Sequence, residues 1–198
     1  MPYPYWYWVT ATSDTAVMLP LATLLAAYFA ADSRALARKW LLSFVPMLLL
    51  VLGSKLAYLK WHLGVAAWDF RGASGHMFYA SAVFPTLLYA LLGHTALRHP
   101  ARHCWIAGML LAALVGVSRV VLGYHFVSEV IVGAMLGGAS SVLFLATAPP
   151  YVPQTARKRW FVAAAIVIVL VQYGKRAPTD AMLAKFADAR IERSPVRR

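Results

Sequence analysis

Ser118-Arg119-Val120-Val121-Leu122-Gly123-Tyr124-His125-Phe126-Val127-Ser128-Glu129 joins two long apolar runs. One extends from His103 to about Leu122, the other from His125 to about Thr147. Each is close to the ~20 residues that a helix needs to cross hydrocarbon. An arginine, a histidine and a carboxylate therefore sit where one apolar helix pattern stops and another starts. Charges at such a place are costly, and they mark function.

The whole chain shares that apolar character. Of its 198 residues 61% are hydrophobic and 13% charged, against roughly 45–50% and about 25% for a soluble domain. The fold class expected is all-α, a polytopic membrane helical bundle with about six transmembrane helices. The single Cys104 excludes an internal disulfide and a Cys-based zinc site. The formal charge is +12, yet the basic residues form no single stripe. They fall in short clusters between apolar runs, as positive-inside loops do. Membrane lipids, not nucleic acid, are the partners this pattern predicts.

Working outward, the remaining runs are Thr15 to Ala31 with Pro20 near its start, Trp40 to Leu59 containing Lys55, and Gly75 to Leu97 interrupted by Pro85. Pro149, Pro150 and Pro153 break the pattern after Thr147, and a shorter sixth run covers Trp160 to Tyr173. Residues 1–14 carry Tyr3, Tyr5, Trp6, Tyr7 and Trp8 but no lysine or arginine, as suits a headgroup-level anchor. Residues 15–174 form the membrane domain, and 175–198 a polar basic tail with a surface helix expected at Thr179 to Glu192. Arg34, Arg38 and Lys39 read as a basic turn. With Arg98, Arg102, Arg157, Lys158 and Arg159 they mark the inner side. The Lys60–Ala73 loop and the Leu122–Tyr124 link then face outside. The tail, with Lys175, Arg176, Lys185, Arg190, Arg193, Arg197 and Arg198, conflicts with this scheme if six helices span.

Four helix ends bring polar groups to that outer level. Lys55 lies about one turn from the end of the second run. Ser74-Gly75-His76 opens the third, Ser118-Arg119 closes the fourth, and His125 with Glu129 opens the fifth. Lys55 and Arg119 are cations that call for an anionic ligand, and the planar arginine fork suits phosphate. Ser74 and the free N–H groups of Gly75 and His76 at a helix N-terminus favour a phosphate as well. A neutral imidazole can attack phosphorus, and a protonated one can give its proton to a leaving alkoxide. Glu129, four residues after His125, shares its helix face and can accept the other ring N–H. Gly133 and Gly137 stand at helix-packing spacing. His94, His99 and His103 fall on the inner side and receive no role.

At these residues the chain resembles the type 2 phosphatidic acid phosphatase (PAP2) family, membrane phosphatases related to vanadium haloperoxidases. Ser118-Arg119, five residues, His125, three residues and Glu129 match the third family motif, with Glu for Asp. Ala73-Ser74-Gly75-His76 matches three of four positions of the second, Pro-Ser-Gly-His. The first, Lys, six residues, Arg-Pro, is degenerate: His62 and Leu63 follow Lys55 at the arginine and proline positions. The resemblance covers about Lys55 to Gly138. It implies a helical bundle with an outward-facing site and a phosphohistidine intermediate, with no metal and no cofactor. It would make His125 the nucleophile, His76 the general acid, and Ser74, Gly75 and Arg119 phosphate ligands. Lys60 competes with Lys55 as the motif lysine, and Arg71 or Lys60 stands in for the missing arginine. The implied substrate is a lipid phosphate or diphosphate, in a bacterial inner membrane with the site on the periplasmic side.

Two other readings compete. Gly72-Ala73-Ser74-Gly75 looks like the nucleophile motif of rhomboid intramembrane serine proteases, with His125 as base for Ser74, but that leaves Lys55, Arg119 and Glu129 idle. A lipid-binding or transport protein would use the same cations only to hold an anionic headgroup; no repeated half is visible. The sequence leaves the lipid and the oligomeric state open.

Overall fold

The computed structural model describes residues 4–92, 99–148 and 155–187. Among them the chain forms eight α-helices and no strand: α1 (Tyr5–Ala11), α2 (Thr15–Ala30), α3 (Arg34–Trp61), α4 (Gly75–Leu92), α5 (Pro100–Val121), α6 (Val127–Thr147), α7 (Thr155–Gln172) and α8 (Thr179–Ala187). Among the described residues five stretches are long and apolar enough to cross a membrane: Tyr5–Ala30, which joins α1 to α2, and then α3, α4, α5 and α6. The sixth apolar run is a helix of 18 residues, α7, with Arg157, Lys158 and Arg159 in its first turns. Arg98, His94, the three prolines after Thr147, and the tail from Asp188 onward, including Arg190, Glu192, Arg193, Arg197 and Arg198, lie outside the described residues.

Helix starts follow their caps. Asp14 accepts from the Ala16 amide at 2.9 Å and starts α2. Ser33 accepts from the Leu36 amide and starts α3. Arg34, Arg38 and Lys39, expected as a turn, are therefore in the first turns of α3, because the serine cap precedes them. Likewise Pro100 starts α5 three residues before His103, since a first-turn proline lacks only an amide hydrogen that the helix would not use. The aromatic N-terminus also folds into a helix, and α1 packs against α5.

α4 is the centre of the bundle. Eleven of its residues are buried, on every side of the helix, as expected of a helix that is apolar all round. It packs most extensively on α5 and α6 and also touches α2 and α3. In lipid there is little hydrophobic drive between helices, so close backbone approach matters more. Gly133 and Gly137 of α6 supply it. A Cβ on Gly133 would stand 2.5 Å from the Ser74 carbonyl oxygen, and one on Gly137 would collide with the carbonyl of Phe78. Large apolar side chains such as Leu42, Leu49, Leu110, Met135 and Leu170 point away from the bundle, where lipid would surround them.

α7 reaches both ends of the bundle. Arg157 near its start pairs with Asp32, after α2, at 2.8 Å. Just past its end, Tyr173 stacks on Trp8 of α1 at 5.9 Å, and its hydroxyl donates to the Trp8 carbonyl at 3.0 Å. The segment after α7 therefore emerges beside α1, at the same end as Ser74–His76 and Arg119–His125. That places the described part of the basic tail with the polar helix ends, and α8 packs against α3 there.

Candidate active site

Glu129 is held by several hydrogen bonds at this end. It occupies the third position of α6, is 5% exposed, and its carboxylate accepts three hydrogen bonds. The Nδ1 of His125 lies 2.6 Å from Oε2, the Phe126 amide donates to the same oxygen at 3.2 Å, and the Arg71 amide donates to Oε1 at 3.0 Å. The extra methylene of a glutamate lets the side chain reach back to its own cap while holding the histidine. The Glu129 carbonyl in turn accepts from the Ser74 amide at 3.0 Å. One residue thus ties the α5–α6 link to the segment that opens α4, and Gly133 one turn later allows that approach.

The link itself is a tight turn. Gly123 has φ +69°, which a residue with a Cβ adopts only at a cost. The Tyr124 and His125 amides both return to the Arg119 carbonyl, at 3.0 and 3.3 Å. His125 is thereby held one turn from Arg119. Burial pushes its imidazole below the ordinary value of 6.5; the hydrogen bond to Glu129 opposes that, and Arg119 and Lys55 add to the lowering. Its Nδ1 faces Glu129, so Nε2 is the nitrogen left to meet a ligand.

Arg119 is buried at the end of α5. Its Nη1 donates to the Thr10 hydroxyl of α1 at 3.1 Å, and its guanidinium lies over the Tyr124 ring at 4.5 Å. His76, one residue into α4, turns its Nε2 toward the Asp14 carboxylate at 3.6 Å. Asp14, Lys55, Gly75, His76, Arg119 and His125 line one small cavity of about 50 Å³. It adjoins a larger cleft of about 580 Å³, which shares Asp14, His76 and Arg119 and adds Tyr7, Tyr173, Lys175 and Arg176. A Cβ placed on Gly75 would meet nothing within 4 Å, so the space beside its backbone is open.

The structure thus brings together Lys55, Gly75, His76, Arg119, His125 and Glu129. Ser74 sits beside them but is fully buried, and its hydroxyl caps α4 by accepting from the Met77 amide at 3.5 Å. That is the geometry of a helix cap, not of a nucleophile resting on His125. Lys60 and Arg71 are not among the lining residues. Lys60 is exposed over the Trp61 ring, and the Arg71 guanidinium lies over Phe126 at 5.4 Å, facing a separate surface pocket with His62 and Asp69. Arg71 reaches the site through its backbone amide on Glu129. Asp14 and Thr10 were not legible as site residues. A lone aspartate before an apolar run reads as a helix cap, which Asp14 also is, and nothing in the spacing links residue 14 to residue 76. Among the described residues no group of three or more His, Cys, Asp or Glu is arranged to hold a metal ion.

Three comparisons bear on this arrangement. The PAP2 superfamily profile matches residues 66–153, which contain His76, Arg119 and His125 of the cavity but not Asp14 or Lys55. An uncharacterized 22.5 kDa protein in the cps region of Klebsiella pneumoniae is 37% identical over 194 residues, covering 93% of this chain and 90% of that one. The phosphatidylglycerophosphatase B of Bacillus subtilis (strain 168) is 43% identical over 71 residues, 35% of this chain and 34% of that protein. No solved structure matches the chain.

Proposed function

Because the chain belongs to the PAP2 superfamily, we propose that it is a membrane lipid phosphatase that cleaves a phosphomonoester or diphosphate through a phosphohistidine on His125. The observation that carries this reading is the convergence of two imidazoles, His76 and His125, and two cations, Lys55 and Arg119, on one small cavity.

The groups divide the chemistry as follows. Lys55, Arg119 and the open N-terminus of α4 at Gly75 hold the phosphoryl oxygens. The Nε2 of His125 attacks phosphorus while Glu129 fixes the ring through Nδ1 and stabilises the charge that develops on it. The bond from phosphorus to the leaving oxygen breaks, and His76 gives that oxygen a proton. A water then loses its proton to His76 as it attacks the phosphohistidine, the P–N bond breaks, and inorganic phosphate leaves with His125 restored. The burial that lowers the His125 pKa keeps its imidazole neutral, and so nucleophilic, at neutral pH. The apolar helix faces around the cleft accommodate the lipid chain. The clustering of Arg34, Arg38, Lys39 and Arg157–Arg159 at the opposite end supports a site facing the outer side of a bacterial inner membrane.

A partial likeness to a phosphatidylglycerophosphatase supports a phospholipid phosphate as substrate. The test is phosphate release by purified protein from a panel of phosphatidic acid, phosphatidylglycerol phosphate and an isoprenyl diphosphate. Turnover of at least one, lost in His125→Ala, is expected. Binding of all of them with no phosphate released would replace the enzyme with a headgroup-binding or transport protein.

A further inference from the structure

We propose that Asp14 is a positioning residue for His76, holding the proposed general acid by its Nε2 edge and leaving Nδ1 as the atom that exchanges protons with the leaving oxygen and then with water. This rests on the reading above, in which His76 is the acid.

Asp14 lies outside the segment matched by the family profile and comes from the turn between α1 and α2. It is 9% exposed. Two amides fix one of its oxygens: Ala16 donates to Oδ1 at 2.9 Å and Ala177, from the segment after α7, at 3.0 Å. The second oxygen, Oδ2, is turned to His76 Nε2 at 3.6 Å, an ion-pair distance when the ring is protonated. A carboxylate used only to cap α2 would need neither the Ala177 contact nor this orientation.

The charges facing His76 give the pairing a purpose. Arg119 from α5 and His125 from the α5–α6 link face it, Lys55 from α3 lines the same cavity, and Lys175 and Arg176 line the adjoining cleft. Every one of these is a cation or becomes one on protonation, and Asp14 is the carboxylate that borders the same cavity. A protonated imidazole in that company is repelled unless a negative charge sits against it. Glu129 is spent on His125 on the other side of the site. Among the described residues the site thus holds two histidine–carboxylate pairs: one readies a nucleophile, and the other readies an acid.

The test separates charge from cap. Asparagine caps a helix as well as aspartate does and has nearly the same volume, so Asp14→Asn removes the charge and leaves α2 in place. Two probes are compared in pre-steady-state kinetics: phosphatidic acid in mixed micelles, whose alkoxide needs a proton to leave, and p-nitrophenyl phosphate, whose phenolate does not. In Asp14→Asn the rate of phosphoenzyme formation from phosphatidic acid should fall about 10²-fold, within the usual range for a general acid. The burst of p-nitrophenolate should stay at the wild-type rate, followed by slow turnover because His76 also activates the water. Asp14→Glu should recover part of the phosphatidic acid rate. Equal loss of both bursts would make Asp14 merely structural, and wild-type rates on both would leave it without a role; either overturns the inference. A wild-type protein that forms no phosphoenzyme from either probe overturns the mechanism beneath it, so the two failures are told apart.

Discussion

At one end of the bundle Phe29, Trp40 and Phe144 meet ring to ring, with centroids 5.0 Å apart for Phe29–Phe144 and 5.6 Å for Trp40–Phe144, and all three are fully buried. Tyr28 and Phe161 bring α7 onto the same cluster at 4.2 Å. At the other end six polar side chains, Asp14, Lys55, His76, Arg119, His125 and Glu129, converge, with the Tyr124 ring beneath the Arg119 guanidinium. The first end depends on contact area and shape, and within its ring cluster Trp40 Nε1 donates to the Ala22 carbonyl at 3.1 Å, which satisfies a donor that would otherwise be stranded. The second depends on directed bonds, most of them anchored to backbone amides. Buried charges cost desolvation energy that pairing only partly returns. The contrast therefore fits one end that stabilises the bundle and another that serves the proposed chemistry.

Substitutions should break that contrast in a definite order. His125→Ala removes the proposed nucleophile and should reduce turnover to background, read as phosphate release from purified protein. Glu129→Gln keeps the shape but not the charge that stabilises the imidazolium; a loss approaching ~10⁴-fold in kcat is expected, the scale of the equivalent change in a serine protease triad. The pH dependence sharpens this case. His125 must be neutral to attack, and its pKa lies below 6.5, so kcat/KM in the wild type should hold below pH 6.5 and fall only as pH drops through the displaced value. Glu129 raises that pKa, so its removal should move the acid limb to still lower pH. Arg119→Lys retains charge but loses the planar fork and should cost about 10²–10³-fold, as for one donor lost from an anion site. Glu129→Asp restores the family residue but shortens an arm that here serves three donors. Its effect should stay within about 10²-fold, the cost of shifting a catalytic group by an ångström. At the other end Trp40→Ala should destabilise the protein by about 3–5 kcal/mol, seen as a lower melting temperature in detergent, with kcat of the folded fraction unchanged.

These two ends were unequally legible in the sequence. Ser118-Arg119, His125 and Glu129 could be read because they stand close together in the chain where one apolar pattern breaks and the next begins, although His125 precedes the cap of α6 instead of opening that helix, and Lys55 because its position inside an apolar run demanded a reason. The apolar runs gave the helices, but not their exact starts: the cap at Ser33 drew Arg34, Arg38 and Lys39 into α3, and Pro100 drew the start of α5 forward. The missing first-motif arginine was expected from Arg71 or Lys60. Neither side chain lines the cavity, since each lies over a neighbouring aromatic ring, Phe126 and Trp61. Asp14 and Thr10 were invisible because their partners, His76 and Arg119, are joined to them only by the packing of α1 and the α1–α2 turn against α4 and α5. The side on which the tail emerges was likewise a tertiary matter, decided by α7 touching Asp32 at one end and Trp8 at the other.

The central claim is that phosphate passes through a covalent bond to His125. Rapid-quench trapping with ³²P-labelled phosphatidic acid, followed by peptide mapping, tests it most directly. The account predicts an acid-labile, alkali-stable label on the peptide holding His125, formed within the first turnover and absent from His125→Ala. Phosphate release by the wild type without such a label, or the same label in His125→Ala, would contradict it.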